Sequence, residues 1–128
     1  MAAMSNYLEN ALINATIRNT TYTSPAAVYV ALFLTDPTDA GTGTQVSGGS
    51  YARQTATFGA PSDGASTTTA DITFPTATGD WGTVAFFGIY DASTSGNLLY
   101  HGALNNSKII QTGDILKIEA GNLTVTLA

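Results

Sequence analysis

Positive charge is what this chain has least of. Only Arg18, Arg53, Lys108 and Lys117 are permanently cationic, against nine carboxylates, for a formal net charge of -5. Sequence-independent nucleic-acid binding needs several Lys or Arg to displace counterions from phosphates, and four scattered cations make no basic stripe. The same shortage removes attraction to an anionic membrane surface. Cysteine is absent altogether, which excludes a disulfide framework and thiolate metal sites. No apolar run approaches the roughly 20 residues that span a bilayer. The opening "MAAMSNYLENALINA" has neither a basic n-region nor a continuous apolar h-region, so no secretory signal is predicted.

Charge of either sign is scarce too, at 10% of residues against roughly 25% in a typical soluble domain. Hydrophobic residues nevertheless make up 44% of the 128. Disorder goes with the opposite combination, so the expectation is one folded domain over residues 1–128. Thr, Ala, Ser, Gly and Asn take the place of charge. Ionic repulsion then does little to keep copies apart, which suits a protein packed into an assembly.

Residues 5–18 read as the only helix, with Ser5 as N-cap and Leu8, Ala11, Leu12 and Ala15 at helical spacing. Beyond it the period changes to two. "VYVALFL" and "TVAFFGIYD" are apolar on both faces, the mark of central, doubly covered strands. "TADITFP" and "LTVTL" alternate as half-exposed strands. "YARQTATF", "LLYHGAL", "KIIQ" and "ILKIEA" complete the set, separated by turn signals. The pattern predicts a mainly β fold: an antiparallel β-sandwich, jelly-roll or Ig-like, of about 7–8 strands with one N-terminal α-helix. The predicted core includes Val30, Leu32, Phe74, Phe86, Ile89, Leu98, Ile118 and Val125.

Chemistry is thin. The single histidine, His101, lies between apolar neighbours and reads as a strand residue facing solvent or an interface. No serine sits in a G-x-S-x-G turn, and "GTGTQV" lacks the third glycine and the helix of a dinucleotide loop. Asp36 and Asp39 in "TDPTD" are weak candidates for metal, but their spacing matches no calcium loop and turn chemistry explains them better. Trp81, between Asp80 and Gly82, either closes the end of the core or stands exposed as an anchor for sugar or protein. The expectation is a non-enzyme without cofactors.

The long polar stretch at residues 35–50 follows an apolar strand and re-enters another at Tyr51. Loops of such length in compact domains are functional or disordered. Its backbone groups need partners, from a neighbour or from water, and an inter-subunit contact loop fits that need. Asp36, Asp39, Thr44, Ser50, Tyr51, Arg53 and Trp81 are therefore the interface candidates.

Four stretches, "VYVALFLTDPTDAG", "GGSYARQ", "FPTATGDWGTV" and "FGIYDA", together resemble a family of small virion structural proteins of tailed bacteriophages. Its members are usually labelled phage tail fibre proteins, and similar small proteins serve as capsid cement or decoration subunits. The resemblance spans nearly the whole chain, with "MAAM" as a short extension before a family-like start at Met4. It implies virion assembly and carries no catalytic residues. A compact domain without repeats makes no fibre shaft, whereas close-packing small residues suit cement. The expectation is thus a capsid cement or decoration protein, seated on the capsid surface as a homotrimer between major capsid subunits, with residues 35–50 among its contacts. The alternatives are a tail fibre or tail appendage component working in host attachment, and a carbohydrate-binding module. Trimming part of the loop is expected to release the protein from particles while leaving its isolated fold intact.

Overall fold

The computed structural model describes residues 2–127. Nine strands and one helix follow in the order β1 (Ala3–Met4), α1 (Asn6–Ile17), β2 (Val28–Phe33), β3 (Gln54–Ala56), β4 (Ala65–Thr67), β5 (Ile72–Thr73), β6 (Gly82–Tyr90), β7 (Leu98–Ile110), β8 (Lys117–Ile118) and β9 (Thr124–Thr126). A five-stranded sheet, ordered β1-β7-β6-β2-β3, forms one layer. Two ribbons, β4–β9 and β5–β8, face it, and every pairing is antiparallel. The mainly β, antiparallel class with one N-terminal helix is as the sequence predicts; the second layer consists of two short ribbons.

The main core lies between the layers. Val30, Leu32, Val84, Phe87, Ile89 and Ile110 of the large sheet meet Ile72, Phe74, Leu116, Leu123 and Val125 of the ribbon layer. Each large side chain buried this way contributes about 1.5–3 kcal/mol relative to exposure. A smaller cluster of Ala31, Phe33, Tyr90 and Leu98 covers the sheet's other face. Both faces of β2 are therefore occupied, which is why its sequence is apolar throughout. Gly88 lies under this second cluster. A Cβ there would come within 2.9 Å of Leu98 Cδ1 and 3.0 Å of a Phe33 ring carbon.

Six of the eight predicted core residues are buried, and Phe86 and Ile118 are half-buried. The Phe86 difference has a local cause. A register break between Val84 and Phe86 opposes Val84 to Lys108 but Phe86 to Ala103. Such a bulge reverses the alternation. Val84 and Phe87 consequently share the main core while Phe86 turns to the opposite cluster.

The helix begins where Ser5 caps it, its side chain accepting from the Leu8 N–H at 3.2 Å. Ser5 is 1% exposed. Its N–H donates to the Leu99 carbonyl at 2.8 Å and its hydroxyl to the Leu98 carbonyl, which ties the helix start to β7. Only Leu8 of the helix is fully buried, so this stitching does much of the docking. Residues 2–4 are no loose extension: Ala2 lies in the main core, and Ala3 and Met4 pair with His101 and Tyr100.

The expected strands "LLYHGAL" and "KIIQ" merge through "NNS" into the single strand β7, which ends at Ile110. Its outer edge is paired by β1 only at Tyr100 and His101, which leaves Gly102–Ile110 open among the described residues. In the ribbon layer, Asp71 accepts from the Ala120 N–H at 2.8 Å and lies 3.3 Å from Lys117 Nζ. The Ala120 bond first, then Lys117, holds its carboxyl below the usual range.

Candidate functional site

The stretch 35–50 folds back on its own chain. The Leu34 N–H donates to the Thr44 carbonyl at 2.8 Å and the Val46 N–H to the Leu32 carbonyl at 3.0 Å, so residues 44–46 extend the pairing of β2. The Thr44 N–H donates to the Thr35 hydroxyl at 2.7 Å, and the Thr42 N–H donates to the Pro37 carbonyl at 2.7 Å. Pro37 is among the fully buried side chains. Neither a neighbour nor water is needed for these bonds, which are made internally because the segment turns sharply at Gly41–Gly43 and returns alongside β2.

Two polar clusters result. In the first, the single histidine meets both aspartates of "TDPTD". His101 Nε2 lies 2.7 Å from Asp39 Oδ1, and Nδ1 lies 3.8 Å from Asp36 Oδ1. His101 is 9% exposed. The sequence expectation of an outward-facing ring is therefore corrected; the ring sits under the loop. Asp36 also accepts the Thr38 N–H at 2.9 Å, the turn role expected of it, and the Asp39 carbonyl accepts the Asn6 N–H at 2.9 Å. Loop, helix start and β7 thus join at one node. Among the described residues no group of three or more His, Asp or Glu is arranged to hold a metal ion.

The second cluster centres on Tyr51, Gln45 and Arg53. Tyr51 Oη accepts from the Leu32 N–H at 3.0 Å and from Gln45 Nε2 at 2.7 Å. Burial pushes the Tyr51 phenol up from its usual value, partly offset by these bonds and by Arg53. Gln45 Oε1 in turn accepts from Arg53 Nη2 at 3.0 Å. Arg53 Nη1 donates to the Ala92 and Ser95 carbonyls at 3.0 and 2.7 Å, and the guanidinium carbon lies 3.7 Å from the centre of the Tyr90 ring. Such a stack is attractive because the ring face is electron-rich. Beside it, residues 45–47, 51–53 and 93–95 line a cleft of about 380 Å³.

Trp81 joins neither cluster as an anchor. It is 4% exposed, its ring edge-on to Tyr51 at 5.5 Å and its Nε1 donating to the Gly49 carbonyl at 2.9 Å. The interface-anchor alternative for Trp81 is corrected; the indole is core. Gly49 has φ of +57°, and a Cβ there would come within 2.9 Å of the Trp81 ring nitrogen. Ser50, with its hydroxyl 2.9 Å from that of Thr78, and Thr44 remain exposed at the surface. Sequence reading selected Tyr51 and Arg53 but missed Gln45, Tyr90 and the 91–97 turn. No local signal marks them, since Arg53 and Ala92 are 39 positions apart.

The architecture is that of a compact β module whose polar residues are spent on holding its own loops in place. The chain belongs to the phage fibre family described as podophage GP4 fiber I protein gp80, whose family model matches residues 3–126. It is a bacteriophage virion structural protein of fibre type. The match begins at Ala3, one residue earlier than the family-like start expected at Met4. No curated protein matches the chain.

Proposed function

We propose that the protein is a non-catalytic component of a phage tail fibre, working in host attachment, rather than a capsid cement subunit. The observation that carries this reading is the family match over residues 3–126, described in terms of a fibre protein. The fold supports it. The loop expected to reach between capsid subunits is folded onto its own β-sheet, so the bonds its backbone makes there need no capsid neighbour. The partners implied are other tail proteins and further copies of this chain, in place of the major capsid protein. Labelled antibody on intact virions tests the reading. A few copies confined to the tail are expected, and hundreds spread over the shell would restore the cement assignment.

Association between copies has a candidate surface in the open edge of β7. An unpaired edge offers a row of N–H and C=O groups to another strand. The segment Leu98–Gly113 carries no carboxylate in a chain of net charge -5, so a second copy meets no acid-against-acid repulsion there. Ile109, 67% exposed, gives this edge an apolar side chain to cover. Sedimentation of the wild type against Ile109→Lys reads the contact: an oligomer that falls to monomer is expected. A monomeric wild type, or a variant of unchanged mass, removes this surface from the assembly.

A further inference from the structure

Arg53 holds a charge that nothing around it neutralises. Its partners, the Ala92 and Ser95 carbonyls and the Gln45 amide oxygen, are all neutral. Among the described residues no carboxylate lies within ion-pair distance of it, although Lys117, another of the four cations, pairs with Asp71. The carboxylate nearest along the 91–97 turn is committed elsewhere. Asp91 accepts from the Asn97 N–H at 2.7 Å and from its side-chain amide at 3.0 Å, closing the turn on itself. Arg53 is half-buried, so its charge is only partly solvated. An unpaired, partly desolvated cation in an acidic protein favours an incoming anion.

The guanidinium is also held ready. Three bonds and the Tyr90 ring fix its plane, while two of its five N–H donors make no bond among the described residues. The geometry of a carboxylate matches such donors. Ser95 carries φ of +52°, an uncommon conformation for a residue with a side chain, and presents its carbonyl to Arg53. Such local strain concentrates at binding sites. Around the cleft, the hydroxyls of Ser47, Ser93, Thr94 and Ser95 are exposed and make no hydrogen bond among the described residues. Hydroxyls both donate and accept, so they match a ligand that is itself a polyol. The cleft volume of about 380 Å³ falls within the range of small-ligand sites.

We infer that this cleft binds an acidic saccharide unit, its carboxylate on Arg53 and its ring hydroxyls on the serine and threonine rim. The inference rests on the fibre reading and assigns the chemistry that a host surface would have to present. The test titrates the full-length protein with sodium D-glucuronate, D-glucose and inorganic phosphate, following backbone and arginine side-chain NMR signals. Glucuronate is expected to bind in the millimolar range, with glucose and phosphate each at least about tenfold weaker. Arg53→Lys keeps the charge but loses the planar donor set, and it is expected to weaken glucuronate about tenfold. The double change Ser93→Ala and Thr94→Ala alters only exposed hydroxyls, so a weaker glucuronate titration on an unchanged fold is expected.

Three results overturn the site. Absence of saturable glucuronate binding does so, and so does glucose binding equally well. Phosphate binding as tightly as glucuronate would leave an anion subsite without sugar recognition. Tail labelling of the virion separates this failure from that of the fibre reading. A protein found on the tail that ignores glucuronate loses only the site, and one found over the shell loses the fibre role whatever it binds.

Discussion

Replacing Trp81 by alanine is expected to lower stability by about 3–5 kcal/mol, the range for deleting a large buried aromatic. The indole is buried, packs edge-on against Tyr51, and donates to the Gly49 carbonyl. Truncation therefore opens a cavity and strips a carbonyl of its partner at the same time. Its backbone also matters, since the Trp81 N–H pairs with the Ile110 carbonyl at 2.9 Å, but that bond survives the substitution. A domain typically has only about 5–15 kcal/mol of stability to lose. Trp81 is the chain's one tryptophan, so denaturation must be followed by far-ultraviolet circular dichroism rather than by fluorescence. A loss below about 1 kcal/mol, of the size usual for surface changes, would return Trp81 to the surface.

Excision of residues 36–43, with Thr35 joined to Thr44 through two glycines, is expected to cost a comparable 3–5 kcal/mol or so. The junction itself is geometrically mild, because the Thr44 N–H already meets the Thr35 hydroxyl at 2.7 Å. The cost comes from what the segment covers. Pro37 is buried, Gly41 lies against Leu98, Asp39 holds His101, and the Asp39 carbonyl accepts from the first residue of the helix. Its removal exposes the Phe33–Leu98 cluster and leaves a buried imidazole without its carboxylate. Losing the partner of a buried polar group costs about 1–3 kcal/mol by itself. Urea denaturation of the excised and intact chains checks this. Equal midpoints would restore the sequence expectation that the loop is dispensable to the fold.

The Trp81 prediction follows the core-closing alternative that the sequence offers, and the loop prediction departs from what the sequence suggests for a polar Gly/Thr segment. Polarity along a segment reports its average exposure, and residues 35–50 are indeed mostly exposed. It does not report the few positions, such as Pro37 and Val46, at which the segment enters the core. Those depend on where the returning chain meets β2.

What the sequence determined by itself was set by short-range physics. The helix is legible at Asn6–Ile17 because Ser5 supplies a cap and the apolar spacing supplies a face, both within a few residues. The two central strands are legible because a strand covered on both sides must be apolar on both sides, as β2 and β6 are. The family motifs are likewise contiguous, and so they identify a phage virion protein without any structure.

What only the tertiary structure decided involves residues brought together from afar or shifts of a single position. The bulge after Val84 sends Phe86 and Phe87 to the faces opposite those implied by strict alternation. The two-residue strand β1 is too short to show a period, and its pairing with β7 defines it. His101 meets Asp39 across 62 positions, and Arg53 meets Ser95 across 42. Side-chain hydrogen bonds reach about 3 Å and leave no periodic trace in the chain. Their partners are therefore fixed only when the sheet order β1-β7-β6-β2-β3 lays the loop beside the 91–97 turn and over β7.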